Sequence, residues 1–231
     1  MNRFPRCSVE LLLPLVAGFA SVTATAQEPY PQTTPEGLER VESERMDAVY
    51  WRPGASLAQY ERIMLLDCSV SFIKDWELNQ EERRKLYRAD AEDMARIRSL
   101  LGQEFREVFT QELQERGGYE IVDSAADDVL MLRPAIVNLD VTAPVLDEPG
   151  TIINYVNSTG EMTLSLELYD SVTNALIGRA IDRQEGREVD SFLISDRIAN
   201  EAEADRILLD WASTLREALD AEWAGNVEST E

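Results

Sequence analysis

Apolar and polar residues alternate most cleanly between Glu161 and Asp170. Met162, Leu164, Leu166 and Leu168 point one way, and Glu161, Thr163, Ser165 and Glu167 the other. A period of two marks a half-buried antiparallel strand. Ser171 to Asn174 supplies turn residues, and Ala175 to Arg183 is predicted to return as the hairpin partner. Further upstream, Ile63 to Phe72 reads as one strand with Met64, Leu66, Cys68, Val70 and Phe72 on a single face. Ala48 to Trp51 is a short extended piece that runs into the Pro53-Gly54 turn.

The period changes after residue 78. Asn79 is placed to cap a helix, with Glu82 three residues on completing a capping-box pattern. Met94, Ile97, Leu101, Phe105, Val108 and Leu113 recur at helical spacing, which leaves Arg96, Arg98, Glu104, Glu107 and Glu112 for water. Gly117-Gly118 ends the helix, because glycine accepts the left-handed conformation found at helix C-termini. Tyr119 to Val122 is predicted as a short strand and Ser124 to Asp128 as a turn. From Val129 to Val141 every second position (Val129, Met131, Arg133, Ala135, Val137, Leu139, Val141) forms a set, with Pro134 implying a bulge or an edge strand. A last amphipathic helix turns Ile207, Leu208, Trp211, Leu215 and Ala218 toward the sheet and ends near Ala224-Gly225. The order of elements predicts an α+β fold: a two-layer sandwich, a mostly antiparallel sheet with two long helices on one face.

The first residues follow another logic. Arg3 and Arg6 precede an apolar run from Leu11 to Val22, and Ala24-Thr25-Ala26 stands just before Gln27. This is the layout of an export signal cleaved after Ala26. The run is shorter than the roughly 20 apolar residues that a bilayer crossing needs. Residues 1–26 are therefore expected to be a signal peptide, which makes the mature chain periplasmic. Residues 27–42, broken by Pro29, Pro31, Pro35 and Gly37, are expected to be a flexible leader. Residues 43–225 are expected to be a single domain and 226–231 an acidic tail. Cys7 precedes the apolar run instead of ending it, so no lipid anchor and no transmembrane segment is expected in the mature chain.

Composition then narrows the chemistry. The 231 residues carry 44 acidic and 22 basic side chains, a formal charge of −22, and loss of Arg3, Arg6 and Glu10 makes the remainder more acidic still. Such a field repels phosphate backbones, so nucleic acid is not an expected partner. The chain has no histidine, which removes serine and cysteine triads, histidine-ligated zinc and the usual pH switch. Without Cys7, Cys68 has no intrachain partner and is expected to be buried and inert. Nothing in the sequence calls for a cofactor or a metal. Asp127-Asp128 and Asp147-Glu148 lack the spacing of a calcium loop, and Arg83-Arg84-Lys85 lies among acids as a mixed-charge helix surface.

Three places invite a functional reading. The stretch from Thr142 to Gly160 is the longest loop between predicted strands, and loops of this length often carry function. Its Ile152, Ile153 and Tyr155 would suit a partner-binding tip, or would pack back as an added edge strand. Trp76 either anchors a partner or plugs the end of the core. Glu161 and Glu167 face Arg179 and Arg183 across the predicted hairpin, where cross-strand ion pairs explain them better than acid–base catalysis does. Asn157-Ser158-Thr159 matches a glycosylation acceptor and marks a surface loop. The leading expectation is a non-enzymatic periplasmic domain that binds another envelope component. Alternatives are a carrier for a small apolar molecule or lipid, lined by Met64, Phe105 and Trp211, and a carboxylate-based hydrolase.

Several segments point to a relationship. They are Val49-Tyr-Trp-Arg-Pro-Gly-Ala55, Tyr60-Glu-Arg-Ile-Met64, Phe72-Ile-Lys-Asp-Trp76, Gly118-Tyr-Glu-Ile-Val-Asp123, Asp128-Val-Leu-Met-Leu-Arg133 and Leu166-Glu-Leu-Tyr-Asp-Ser171. Their order resembles the bacterial envelope family, often lipoproteins, catalogued as domain of unknown function 3313. The resemblance covers roughly Gly37 to Trp223. It implies a place in the cell envelope but no catalytic residues, and this chain departs from many members in lacking a lipid-attachment cysteine after its apolar run.

Overall fold

In a computed structural model, residues 30–74, 91–140, 160–185 and 197–228 are described. All but Tyr30 belong to the unit Pro31–Glu231. In chain order they form β1 (Glu39–Val41), β2 (Ala48–Trp51), β3 (Arg62–Leu65), β4 (Ser69–Phe72), α1 (Ala91–Thr110), β5 (Glu120–Ile121), β6 (Val129–Asp140), β7 (Glu161–Asp170), β8 (Leu176–Glu185) and α2 (Arg197–Glu228). A π-helical turn, Gln111–Arg116, continues α1. The α+β class holds.

The sheet runs β1-β2-β8-β7-β6-β3-β5, with β4 also paired to β6. It is mixed, which corrects the mostly antiparallel expectation. From β1 to β6 each neighbour is antiparallel, whereas β3 with β5, β3 with β6 and β4 with β6 are parallel. The reason is the long helical connection between β4 and β5. Only a crossover of a dozen or more residues can bring a strand back parallel to its predecessor.

The predicted β7–β8 hairpin forms, and a register shift between Leu168 and Tyr169 sets Leu166 opposite Ala180 and Glu167 opposite Arg179. The Asp170 carboxylate fixes its turn by accepting hydrogen bonds from the Val172 N–H (3.1 Å), the Thr173 N–H (2.7 Å) and the Thr173 hydroxyl (2.8 Å). Asn174 takes φ 56°, which asparagine tolerates better than most residues. On β8, Gly178 is obligatory for a different reason. A Cβ there would stand 2.5 Å from the Trp51 ring.

The predicted strand from Ile63 to Phe72 is two strands. It breaks at residues 66–68, and the break changes which side faces inward. Ile63 and Leu65 are buried in β3, while Met64 is only partly buried. Beyond the break the partly buried positions are Cys68, Val70 and Phe72, as the alternation predicted. In β6 the core takes Leu130, Leu132 and Ile136, the set opposite to the odd-numbered one read from sequence. A bulge at Asn138 (φ 55°) then brings Leu139 inward.

Pro134 is neither at an edge nor at a bulge. It pairs with Leu166 inside the sheet. The Leu132 carbonyl accepts the Leu66 N–H at 3.0 Å, so even-numbered residues of β6 turn their backbone toward β3 and β4. Two residues on, the Pro134 nitrogen faces the interval between those two strands, where no ladder bond is required.

Phe105, Phe109 and Leu113 from the first helix meet Ile207, Leu208, Trp211, Ala212, Leu215 and Leu219 of α2 in one cluster with Leu132, Ile136, Leu164 and Leu166 of the sheet. Phe105 and Phe109 stack with centroids 3.9 Å apart. Three details differ from expectation. Ala218 is exposed and Leu219 takes the core position. The α2 helix continues through Gly225 to Glu228. The stretch expected to be a flexible leader supplies β1 and the fully buried Leu38.

Candidate functional surface

The alternation that sends Leu164, Leu166 and Leu168 into the core sends Thr163, Ser165, Glu167 and Tyr169 to the opposite face of the sheet. Register adds Arg133 from β6 and Arg179 from β8 beside Glu167. Glu167 accepts from Arg179 Nη2 at 2.6 Å and Nε at 3.0 Å, from Arg133 Nη2 at 2.5 Å, and from the Tyr169 hydroxyl at 3.0 Å. Arg133 lies over the Tyr169 ring, 4.6 Å from its centroid, a favourable cation–π arrangement. Arg179 reaches on to Glu36 at 3.1 Å, and Arg183 pairs with Glu161 at 2.6 Å and Glu185 at 2.8 Å. The expected cross-strand ion pairs are therefore present.

The electrostatics follow from these partners. Burial tends to raise the Glu167 carboxyl, but hydrogen bonds from Arg133, Arg179 and Tyr169 outweigh it and hold the group below its usual range. The hydrogen bond from Arg179 is the largest influence lowering Glu36 to about 2. At the end of the sheet Arg62 grips Asp128 with two hydrogen bonds of 2.7 and 2.6 Å and lowers it. Asp170 is lowered chiefly by the Thr173 N–H. These groups are ionised acceptors, whereas a general acid needs a raised pKa.

Among the described residues, two further carboxylates are buried. Glu112, assigned to water by its polarity, is 1% exposed. It accepts from Arg216 Nε at 2.9 Å and pairs with Arg116 at 3.0 Å. Its spacing of seven from Phe105 put it on the buried face all along, and helical periodicity was the better guide. Asp182 is 3% exposed and accepts from Trp211 Nε1 and Gln184 Nε2, both at 2.7 Å, and from the Asp47 N–H at 3.2 Å. It stands opposite Leu164, and no local pattern marked it.

The residues chosen as partner contacts, Trp76, Ile152, Ile153 and Tyr155, lie outside the described residues. So do Arg83 to Lys85, Asp147-Glu148 and the Asn157 acceptor pattern. The expected carrier lining is not brought together: Phe105 and Trp211 are buried in the core, and Met64 lies on the other face of β3. Cys68 is half-buried, and desolvation pushes its thiol up to about 12. Among the described residues no group of three or more metal-ligating side chains occurs, and no helix is long and apolar enough to cross a membrane.

No curated protein matches the chain. Among solved structures, it is similar to the PelC dodecamer from Paraburkholderia phytofirmans, at 14% identity over 70% of this chain and 96% of that one (TM-score 0.34). A protein described as a "putative lipoprotein" from Caulobacter crescentus CB15 is 14% identical over 73% of this chain and 93% of that one (TM-score 0.32). At these scores neither likeness carries an argument. The sequence model of one family matches residues 30–215, most of the chain and nearly all of the described fold, and by that match this protein belongs to the family described as Protein of unknown function (DUF3313).

Proposed function

We propose that this protein is a non-enzymatic domain of the bacterial periplasm that binds another component of the cell envelope. One observation carries the reading: among the described residues the carboxylates of Glu36, Asp128, Glu167 and Asp170 are held below their usual range, each by arginine, tyrosine, threonine or backbone donors. None of these is set to give or take a proton near neutral pH. Glu161 and Glu167, the pair considered for hydrolysis, are instead engaged by Arg183 and Arg179. The export signal at residues 1–26 supports the compartment, and the lack of histidine narrows the chemistry further.

Contact with the partner is assigned to the segment joining β6 to β7, through Ile152, Ile153 and Tyr155, with Trp76 as a second anchor. The test is co-isolation of crosslinked complexes from envelope fractions. A combined Ile152→Ser, Ile153→Ser, Tyr155→Ser variant should lose a specific partner while melting like the parent. Recovery of the same complex by the variant removes the segment from the reading. Recovery of only bulk envelope proteins by both chains removes the reading itself.

A further inference from the structure

The α2 helix presents Ile207, Trp211, Leu215 and Leu219 at intervals of four, and all four are buried. In the middle of the row a slide of one turn, about 5.4 Å, is weakly opposed, because Trp211 and Leu215 are each replaced by another apolar side chain. At its margins one slide carries Arg216 to the place of buried Ala212 and the other carries Glu203 to that of Ile207. Two polar contacts also do not repeat. Trp211 donates to Asp182 on β8, and Arg216 donates to Glu112 on the π-helical turn. A slide in one direction sets Leu215 against Asp182 and Asp220 against Glu112. The opposite slide sets Ile207 and Ala212 there. Either way both buried carboxylates lose their α2 donors. Asp182 keeps Gln184 and the Asp47 N–H, and Glu112 keeps Arg116, but a buried carboxylate that loses one of its donors is still unfavourable.

We infer that Glu112 and Asp182 act together as a two-point register lock that fixes where α2 docks. The two anchors come from different elements, one on the first helix and one on the sheet. Such a lock adds little to net stability, since a buried ion pair replaced by apolar groups of similar size is often neutral or stabilising. Its effect is to hold α2 in one arrangement where the middle of the apolar row discriminates weakly. The neighbouring charges reinforce it: Arg216 also pairs with Asp220 at 2.6 Å, and Tyr119 donates to Asp220 at 2.8 Å.

The test replaces the ion pair with apolar side chains, Glu112→Met with Arg216→Met, and separately extends this with Asp182→Val. Nuclear magnetic resonance of the Trp211 indole N–H reads the register. The parent should give one Trp211 signal. The double variant should remain cooperatively folded and show a second Trp211 signal at about a tenth of the intensity, the upper end for a minor state. The triple variant should raise that share further. A single, unshifted Trp211 signal in the double variant overturns the inference. So does its failure to fold, because the pair would then carry stability and not register. Asp182→Asn, which keeps an acceptor for the indole, should retain one signal, and a second signal there also counts against the lock.

Discussion

At the scale of single residues, the structure turns on groups whose chemistry is suppressed by their surroundings. Cys68 is the clearest case. Desolvation favours the neutral thiol, and with its pKa pushed up to about 12 almost no thiolate exists at neutral pH. In protein beginning at Gln27, a thiol reagent at pH 8 should label Cys68 far more slowly than an unhindered thiol, and denaturant should speed the reaction. Prompt stoichiometric labelling of the folded chain would contradict this. The inward-facing side of Cys68 was legible in the sequence because the residue sits in an apolar alternation, but it is half-buried where full burial was expected. Glu112 and Asp182 were not, because their burial depends on donors 104 and 29 positions away.

At the scale of elements, local pattern and long-range pairing had different weight. The hairpin from Glu161 was readable because its alternation, its turn residues and its facing charges all point to paired strands, although the one-residue shift between Leu168 and Tyr169 that sets its register was not. The strand from Ile63 was readable as a strand but not as two. Its break is set by Pro134 of β6, a neighbour in space and not in sequence. That explanation makes a prediction. Ala135 lies one residue on and turns its N–H toward β7, so Ala135→Pro should cost about 1–3 kcal/mol by removing a ladder bond and stranding its acceptor. Pro134→Ala should change stability by no more than about 1 kcal/mol. Denaturant midpoints of the two variants decide it, and equal effects would refute the alignment of Pro134 with the break. Parallel pairing of β3 with β5 and β6 was missed for a related reason: one-face alternation reports burial and says nothing about the direction of the next strand.

For the whole molecule, the acidic composition sets a stability profile. Glu36, Asp128, Glu167 and Asp170 are lowered in the fold. A lowered carboxylate stabilises above its unfolded pKa, and that contribution is lost as pH falls through the folded value. For Glu36 the window runs from 4.5 down to about 2. Tyr60, Tyr119, Tyr169 and Cys68 are raised, so their contribution is complete below the unfolded values and fades as pH rises, from 9.0 for Cys68 and 10.0 for the tyrosines. Melting temperature should therefore be flat from about pH 5 to 9 and fall on both sides. A melting temperature that climbs toward pH 3 would contradict the ion-pair assignments. The family relationship was legible at this scale because its segments recur in order along the chain. The candidate partner contacts rest on loop length and apolar content alone.

The central claim is that this fold serves contact with an envelope partner. A photo-crosslinking residue placed at Tyr155, and in a parallel strain at the exposed Leu100 of α1, tests it in living cells. The account predicts a discrete adduct from position 155 in the envelope fraction, with little from position 100. Uncut precursor in the cytosol, or the same diffuse adducts from both positions, would contradict it.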